Sequence, residues 1–205
     1  MNILFVHGMG RSPLSSYFFL KHLRKEGHRT HTFFYIAAKE SVDGICERLS
    51  LTLKDLSEKG PYVVIGHSLG GVLLRKTLQN ACFLLPEKVF LLGSPIGASR
   101  LAQKMQHSLW FQKSTGECGR MLSCQKDMAG IGRPPCPIIA LIGTKGLPGT
   151  NRFFKEEEHH DGIVAYSESF APWFDEEVLT ATPHAFLPVL PKIADIVAGN
   201  ISGKR

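Results

Sequence analysis

Tyr62-Val63-Val64-Ile65-Gly66-His67-Ser68-Leu69-Gly70-Gly71-Val72-Leu73-Leu74-Arg75-Lys76-Thr77-Leu78 is the stretch whose reading decides this fold. Tyr62 to Ile65 are apolar and mostly β-branched, and follow the Gly60-Pro61 break, so they read as a short buried strand. From Leu69 the pattern changes. Gly71, Leu74, Leu78 and Ala81 recur at steps of three and four, one face of a helix. Between strand and helix stands Gly66-His67-Ser68-Leu69-Gly70, a G-x-S-x-G string. Strand, sharp turn and helix form the setting of a nucleophile elbow, in which serine Oγ is pushed out at the sheet edge. Its glycines are needed where β-carbons on both sides of the turn would collide. The helix N-terminus behind Ser68 favours developing negative charge.

Outward from the elbow, strand and helix patterns alternate, the signature of a parallel sheet flanked by helices. Ile3–Val6 reads as a first strand, and Ser12-Pro13 opens a helix carrying Tyr17, Leu20 and Leu23 as far as Gly27. His31–Phe34 is the second strand. Val42, Ile45, Leu49, Leu53 and Leu56 mark an amphipathic helix. Tyr62–Ile65 is the third strand, Lys88–Leu92 the fourth, Pro137–Ile142 the fifth and Glu177–Thr180 a short sixth. A closing helix is predicted from about Pro188, carrying Val189, Ile193 and Ile196. Two stretches break the alternation. Residues 98–136 predict a helix, then Leu109-Trp110-Phe111 and a passage rich in Ser, Gly and Cys; residues 143–162 read as loop. Long connections of this kind often form lids or binding walls.

At 205 residues the chain fits one domain, and 43% hydrophobic with 20% charged residues is ordinary for a soluble globular protein. No apolar run approaches the roughly 20 residues that cross a bilayer. Met1 abuts the apolar run Ile3–Val6 with no basic leader before it, which predicts a cytoplasmic location for a chain that starts here. The five cysteines are odd in number and scattered. Cys46 and Cys82 read as buried thiols in helical patterns, Cys118 and Cys124 as a pair that an oxidising compartment would allow, and no C-x-x-C points to zinc. A net charge of +6 is mildly basic, and its densest cluster, Lys21 to Arg29, reads as a solvated helix face. Weak attraction to anionic lipid or to an acidic substrate is the other reading, so membrane contact is at most peripheral. No aromatic-interleaved basic stripe argues for nucleic acid. The oligomeric state is not legible.

A serine hydroxyl needs a base, an acid that orients the base, and donors for an oxyanion. Of nine histidines, His184 alone follows the last strand and precedes the last helix, on the same sheet edge as Ser68. Asp161, between the fifth and sixth strands, is the candidate acid; Asp175 and Glu158 are the other carboxylates in range. The oxyanion donors are the backbone N–H of Leu69, just after the serine, and that of Met9 in the His7-Gly8-Met9-Gly10 loop; His7 reads as a brace of that loop. Glu156-Glu157-Glu158-His159-His160-Asp161 holds ligand-type side chains, but neighbours in sequence do not readily face one ion, so no metal is assigned.

Five motifs in this order resemble the α/β-hydrolase superfamily of lipases and esterases, and most of all its small bacterial lipases: His7-Gly8-Met9-Gly10, Gly66 to Gly71, Leu92-Gly93-Ser94-Pro95, Asp161-Gly162-Ile163-Val164 and His184. The resemblance implies a reduced, six-stranded, mostly parallel sheet with helices on both faces. It implies a Ser68/Asp161/His184 triad, carboxylic-ester hydrolysis and no cofactor. One departure is Ile96, where such lipases often carry histidine. The expected substrate is a small-molecule or lipid ester of short to medium acyl chain, held by Met9, Leu69, Ile96 and Leu109-Trp110-Phe111. A thioesterase or lipid deacylase with the same triad is the nearest alternative, and a binding protein on a hydrolase scaffold a more distant one.

Overall fold

The computed structural model describes residues 1–155 and 157–203. Its centre is β3 (Tyr62–His67), every residue of which is buried. A strand covered on both faces has no polar side to alternate with, which is why it reads as a continuous apolar run. β1 (Asn2–Val6) and β4 (Lys88–Leu92) flank it, β2 (Arg29–Phe33) lies beyond β1, and β5 (Ile138–Gly143) and β6 (Glu176–Thr180) extend the other side. The order is β2-β1-β3-β4-β5-β6, and all six strands run parallel. The expected sheet of six, mostly parallel strands is therefore wholly parallel.

Register follows from the period of two. Leu4 lies beside Val64 and Val64 beside Val89, and all three join one core. Phe5, Ile65 and Phe90 pair in the same way on the opposite face. A slip of one residue would exchange the two sets, so the apolar pattern pins the pairing. The first face is covered by α2 (Val42–Glu58) and α3 (Leu69–Leu78), the second by α1 (Tyr17–Lys25) and α8 (Pro191–Ser202). α2 buries Val42, Ile45, Leu49, Leu53 and Leu56, the stripe read from the sequence, and Ser41 Oγ caps it by accepting from Gly44 N–H at 3.1 Å.

Three differences from the sequence reading have local causes. α8 begins at Pro191 rather than Pro188, because a 3-10 turn over His184–Phe186 occupies the intervening chain and Pro191 suits the first helical position. Residues 98–136 are largely helical: α4 (Arg100–Met105), α5 (Leu109–Ser123) and α6 (Gln125–Ala129). The small residues that read as loop are instead packed, with Thr115, Cys118, Gly119 and Ser123 buried, and α5 kinks at Gly116, whose φ is 55°. Cys118 and Cys124 are free thiols, like the other three cysteines, and Cys82, expected to be buried in a helix, is exposed because the helix over Leu69–Leu78 ends before it.

Candidate active site

Ser68 follows β3 directly and starts α3, with φ 53° and ψ −123°. Such a backbone is costly for a residue with a β-carbon and persists only where its surroundings enforce it. The enforcement is visible. Ser68 N–H donates to Leu92 O at 2.9 Å. A β-carbon on Gly66 would come within 2.4 Å of Gly71 Cα, and one on Gly70 within 2.2 Å of Val6 O. The elbow therefore rests against β1 with no room for side chains. The Ser68 hydroxyl makes no hydrogen bond among the described residues.

His184 opens the 3-10 turn after β6. Its Nδ1 lies 2.6 Å from Asp161 Oδ2, and both side chains are buried. A carboxylate only accepts, so Nδ1 carries the proton and Nε2 is left as the basic lone pair. Asp161 Oδ1 accepts from Ile163 N–H at 2.9 Å and Val164 N–H at 2.7 Å, while Asp161 O accepts from His184 N–H at 2.9 Å. Asp161 and His184 thus hold each other through side chain and main chain together. Asp175 lies elsewhere. It pairs with Arg133 at 3.1 Å and accepts from Ile138 N–H, at the amino end of β5 and the opposite edge of the sheet. Glu158 pairs with Arg100 at 2.7 Å, and that guanidinium pulls its pKa down to about 2.

Leu69, as the first residue of α3, has an N–H without an intrahelical acceptor, and Met9 N–H meets no acceptor among the described residues. His7 braces the Met9 loop. Its ring stacks on Tyr35 at 4.4 Å, and Tyr35 Oη donates to His7 O at 2.8 Å. Of the acidic and histidine string, Glu158 is held by Arg100, His160 stacks on Phe154 and Asp161 serves His184, while Glu156 lies outside the described residues.

Ser68 and His184 line one cavity of about 300 Å³. Its apolar wall is Met9, Leu101, Met105, Phe111, Leu122 and Ile163. The expected wall is corrected here in three places. Ile96 packs into the core instead of the cavity. Leu109 and Trp110, 72% and 70% exposed, point away from it, and only Phe111 of that trio reaches the site. Helical spacing explains the split, since successive residues of α5 project about 100° apart. Leu69 contributes backbone only, its side chain being wholly buried in the core.

Sequence reasoning missed two residues. His67 is buried, and its Nε2 donates to His184 O at 3.0 Å. Burial first, then the neighbouring His184, hold its pKa well below 6.5, so it is neutral, and its Nδ1 has no partner among the described residues. Arg11 lines the cavity mouth. Its position directly after His7-Gly8-Met9-Gly10 was the available signal.

No protein-family model matches the chain, and no curated protein matches it. Solved structures do. The mature lipase BlEst2 of Bacillus licheniformis aligns with a TM-score of 0.79 at 18% identity, over 98% of this chain and 91% of its own. The metagenomic carboxyl esterase MGS0156 gives 0.71 at 13%, over 97% of this chain and 74% of its own. RedJ, a thioesterase of prodiginine biosynthesis in Streptomyces coelicolor, gives 0.61 at 12%, over 100% and 85%. With the parallel six-stranded sheet and the elbow at its edge, these likenesses define the class: this chain has the α/β-hydrolase fold.

Proposed function

We propose that the protein is a serine hydrolase that cleaves carboxylic esters through an acyl-enzyme on Ser68. The observation that carries this reading is the buried 2.6 Å bond from His184 Nδ1 to Asp161 Oδ2, which leaves Nε2 free on the cavity that Ser68 lines. Ser68 Oγ attacks the ester carbonyl as its proton passes to His184 Nε2. The oxyanion takes the N–H groups of Met9 and Leu69. Collapse breaks the bond to the leaving oxygen, which receives the proton from His184. Water then loses a proton to His184, attacks the acyl-serine and releases the acid, with Ser68 restored. Asp161 steadies the imidazolium that forms. Each step needs only water and groups of this chain.

That lipases and a carboxyl esterase share the fold supports the reaction class. An apolar cavity near the low end of the volumes usual for small-molecule sites supports short to medium acyl chains. The same attack cleaves a thioester, and matched oxygen and sulfur esters rank the two. The test is turnover of p-nitrophenyl esters of increasing chain length, together with fluorophosphonate labelling. Wild type turns over and is labelled; Ser68→Ala loses both, with kcat down by several orders of magnitude, on the order of 10⁴-fold or more. Near-normal turnover in Ser68→Ala overturns the reading.

A further inference from the structure

We propose that the mouth of the Ser68 cavity is an anion site, in which Arg11 holds a phosphate or carboxylate on the leaving-group half of the substrate. Which bond is cut rests on the serine-hydrolase reading; the binding does not.

Arg11 N–H donates to Gly8 O at 3.2 Å, and Gly10 has φ 65°, so the chain turns tightly over the end of β1. This brings Arg11 to the cavity two residues after the Met9 N–H. Its guanidinium has no carboxylate partner and no hydrogen bond among the described residues. The rest of the lining is apolar apart from serines and histidines, so Arg11 is its permanent charge. That charge is felt inside, where it helps depress the pKa of the buried His67.

Burial is graded across the cavity. Ala102, Phe111 and Leu122 form a buried end suited to an acyl chain, whereas Arg11 is exposed at the solvent end. A leaving group pointing outward from Ser68 meets Arg11. The planar guanidinium fork matches phosphate or carboxylate, with charge-assisted bonds about twice as strong as neutral ones.

The surrounding edge carries the same sign. Lys39, Lys104, Lys145, Arg152 and Lys155 lie in the segments that follow the carboxyl ends of the strands, and among the described residues none meets a carboxylate. The acids there are mostly spoken for: Glu40 pairs with Arg48, Glu158 with Arg100 and Asp161 with His184. Glu157 has no partner among the described residues, and Glu156 lies outside them. An edge of this kind draws anions toward the cavity from a distance.

The binding test uses Ser68→Ala protein with octyl phosphate and octanol, measured by calorimetry. Octyl phosphate binds at least about tenfold tighter, the scale of a charge-assisted hydrogen bond. Adding Arg11→Gln shrinks the difference below about threefold, Arg11→Lys keeps an intermediate preference, and salt weakens only the phosphate. The turnover test compares octanoyl glycerol with octanoyl glycerol 3-phosphate on otherwise wild-type protein, below micelle-forming concentrations and in vesicles. The phosphate ester is preferred, and Arg11→Gln lowers that ratio about tenfold. A ratio that rises on vesicles identifies a lipid headgroup, and one highest in free solution a soluble phosphate ester. Equal affinity for octyl phosphate and octanol, or a preference that survives Arg11→Gln, overturns the anion site. If no ester is cleaved while the Arg11-dependent preference stands, the hydrolase reading falls and the anion site remains.

Discussion

His67, one residue before Ser68, donates its Nε2–H to the carbonyl oxygen of His184 at 3.0 Å, with the two rings 4.7 Å apart. The elbow and the turn carrying the base are thereby joined by one bond. His184 is held at three points: Nδ1 and main-chain N–H by Asp161, and main-chain O by His67. Only the last connects it to the serine's own loop. His67→Phe keeps a ring of similar size and removes the donor. Misplacement of the base by about 1 Å costs on the order of 10²-fold. We expect kcat to fall about 10- to 100-fold in His67→Phe with KM little changed. Wild-type kcat in that variant would show that the bond positions nothing.

The stability of the protein should carry the same histidine's mark. Burial holds His67 well below its ordinary value of 6.5, and lowers His7 as well. Below pH 6.5 the unfolded chain takes up protons that the folded chain refuses, so stability falls as the pH drops; above it both states are neutral and the contribution vanishes. For His67 the slope approaches at most about 1.4 kcal/mol per pH unit. Glu158 acts in a separate window, its contribution being present above the ordinary 4.5 and lost as pH falls toward about 2. Denaturant titrations between about pH 5 and 7 therefore read the histidines, and His67→Phe should flatten the slope. An unchanged slope in that variant refutes the assignment to His67.

Much of this was legible in the chain because it is governed by local rules. The G-x-S-x-G turn, the continuous apolar strands and the three-and-four stripe of α2 are each set by residues near one another in sequence. Asp161 and His184 could be ordered along the sheet edge by counting strands, although 23 residues separate them. The cavity wall could not. Which of Leu109, Trp110 and Phe111 faces Ser68 depends on the rotation of the turns before the Gly116 kink, where Phe111 and Thr115 are buried. The contact of His67 with His184 spans 117 residues, and no periodicity reports it.

The two candidate acids separate cleanly. Asp161 spends one oxygen on His184 and the other on two backbone N–H groups, inside the protein. Asp161→Asn leaves the imidazole with the wrong tautomer, so kcat should fall by about 10²-fold or more. Asp175 is nearly half exposed and binds Arg133 and Ile138 N–H on the far edge. Asp175→Asn should leave kcat within about twofold and cost about 0–1 kcal/mol of stability, the range for an exposed pair. Loss of turnover in Asp175→Asn with activity retained in Asp161→Asn would reverse the roles.

Chain-length selectivity distinguishes the observed wall from the one read in the sequence. Met105 lines the Ser68 cavity from the end of α4, half-buried and packed against the core, whereas Trp110 is 70% exposed and reaches no part of that cavity. We expect an acyl chain that runs toward Phe111 and Leu122 to meet Met105 only once it is several carbons long. Removing that side chain deletes contacts made by the longer substrate alone, and a methylene in an apolar pocket is worth about 1–3 kcal/mol. Met105→Ala should therefore lower kcat/KM for p-nitrophenyl octanoate by about 10-fold or more while acetate changes little. Trp110→Ala should leave the octanoate-to-acetate ratio within about twofold, since an exposed ring makes no contact that either ester shares. Thermal melts of both variants guard against a general loss of folding. A collapse of the octanoate ratio in Trp110→Ala, with Met105→Ala unchanged, would mean that α5 turns its other face to the substrate.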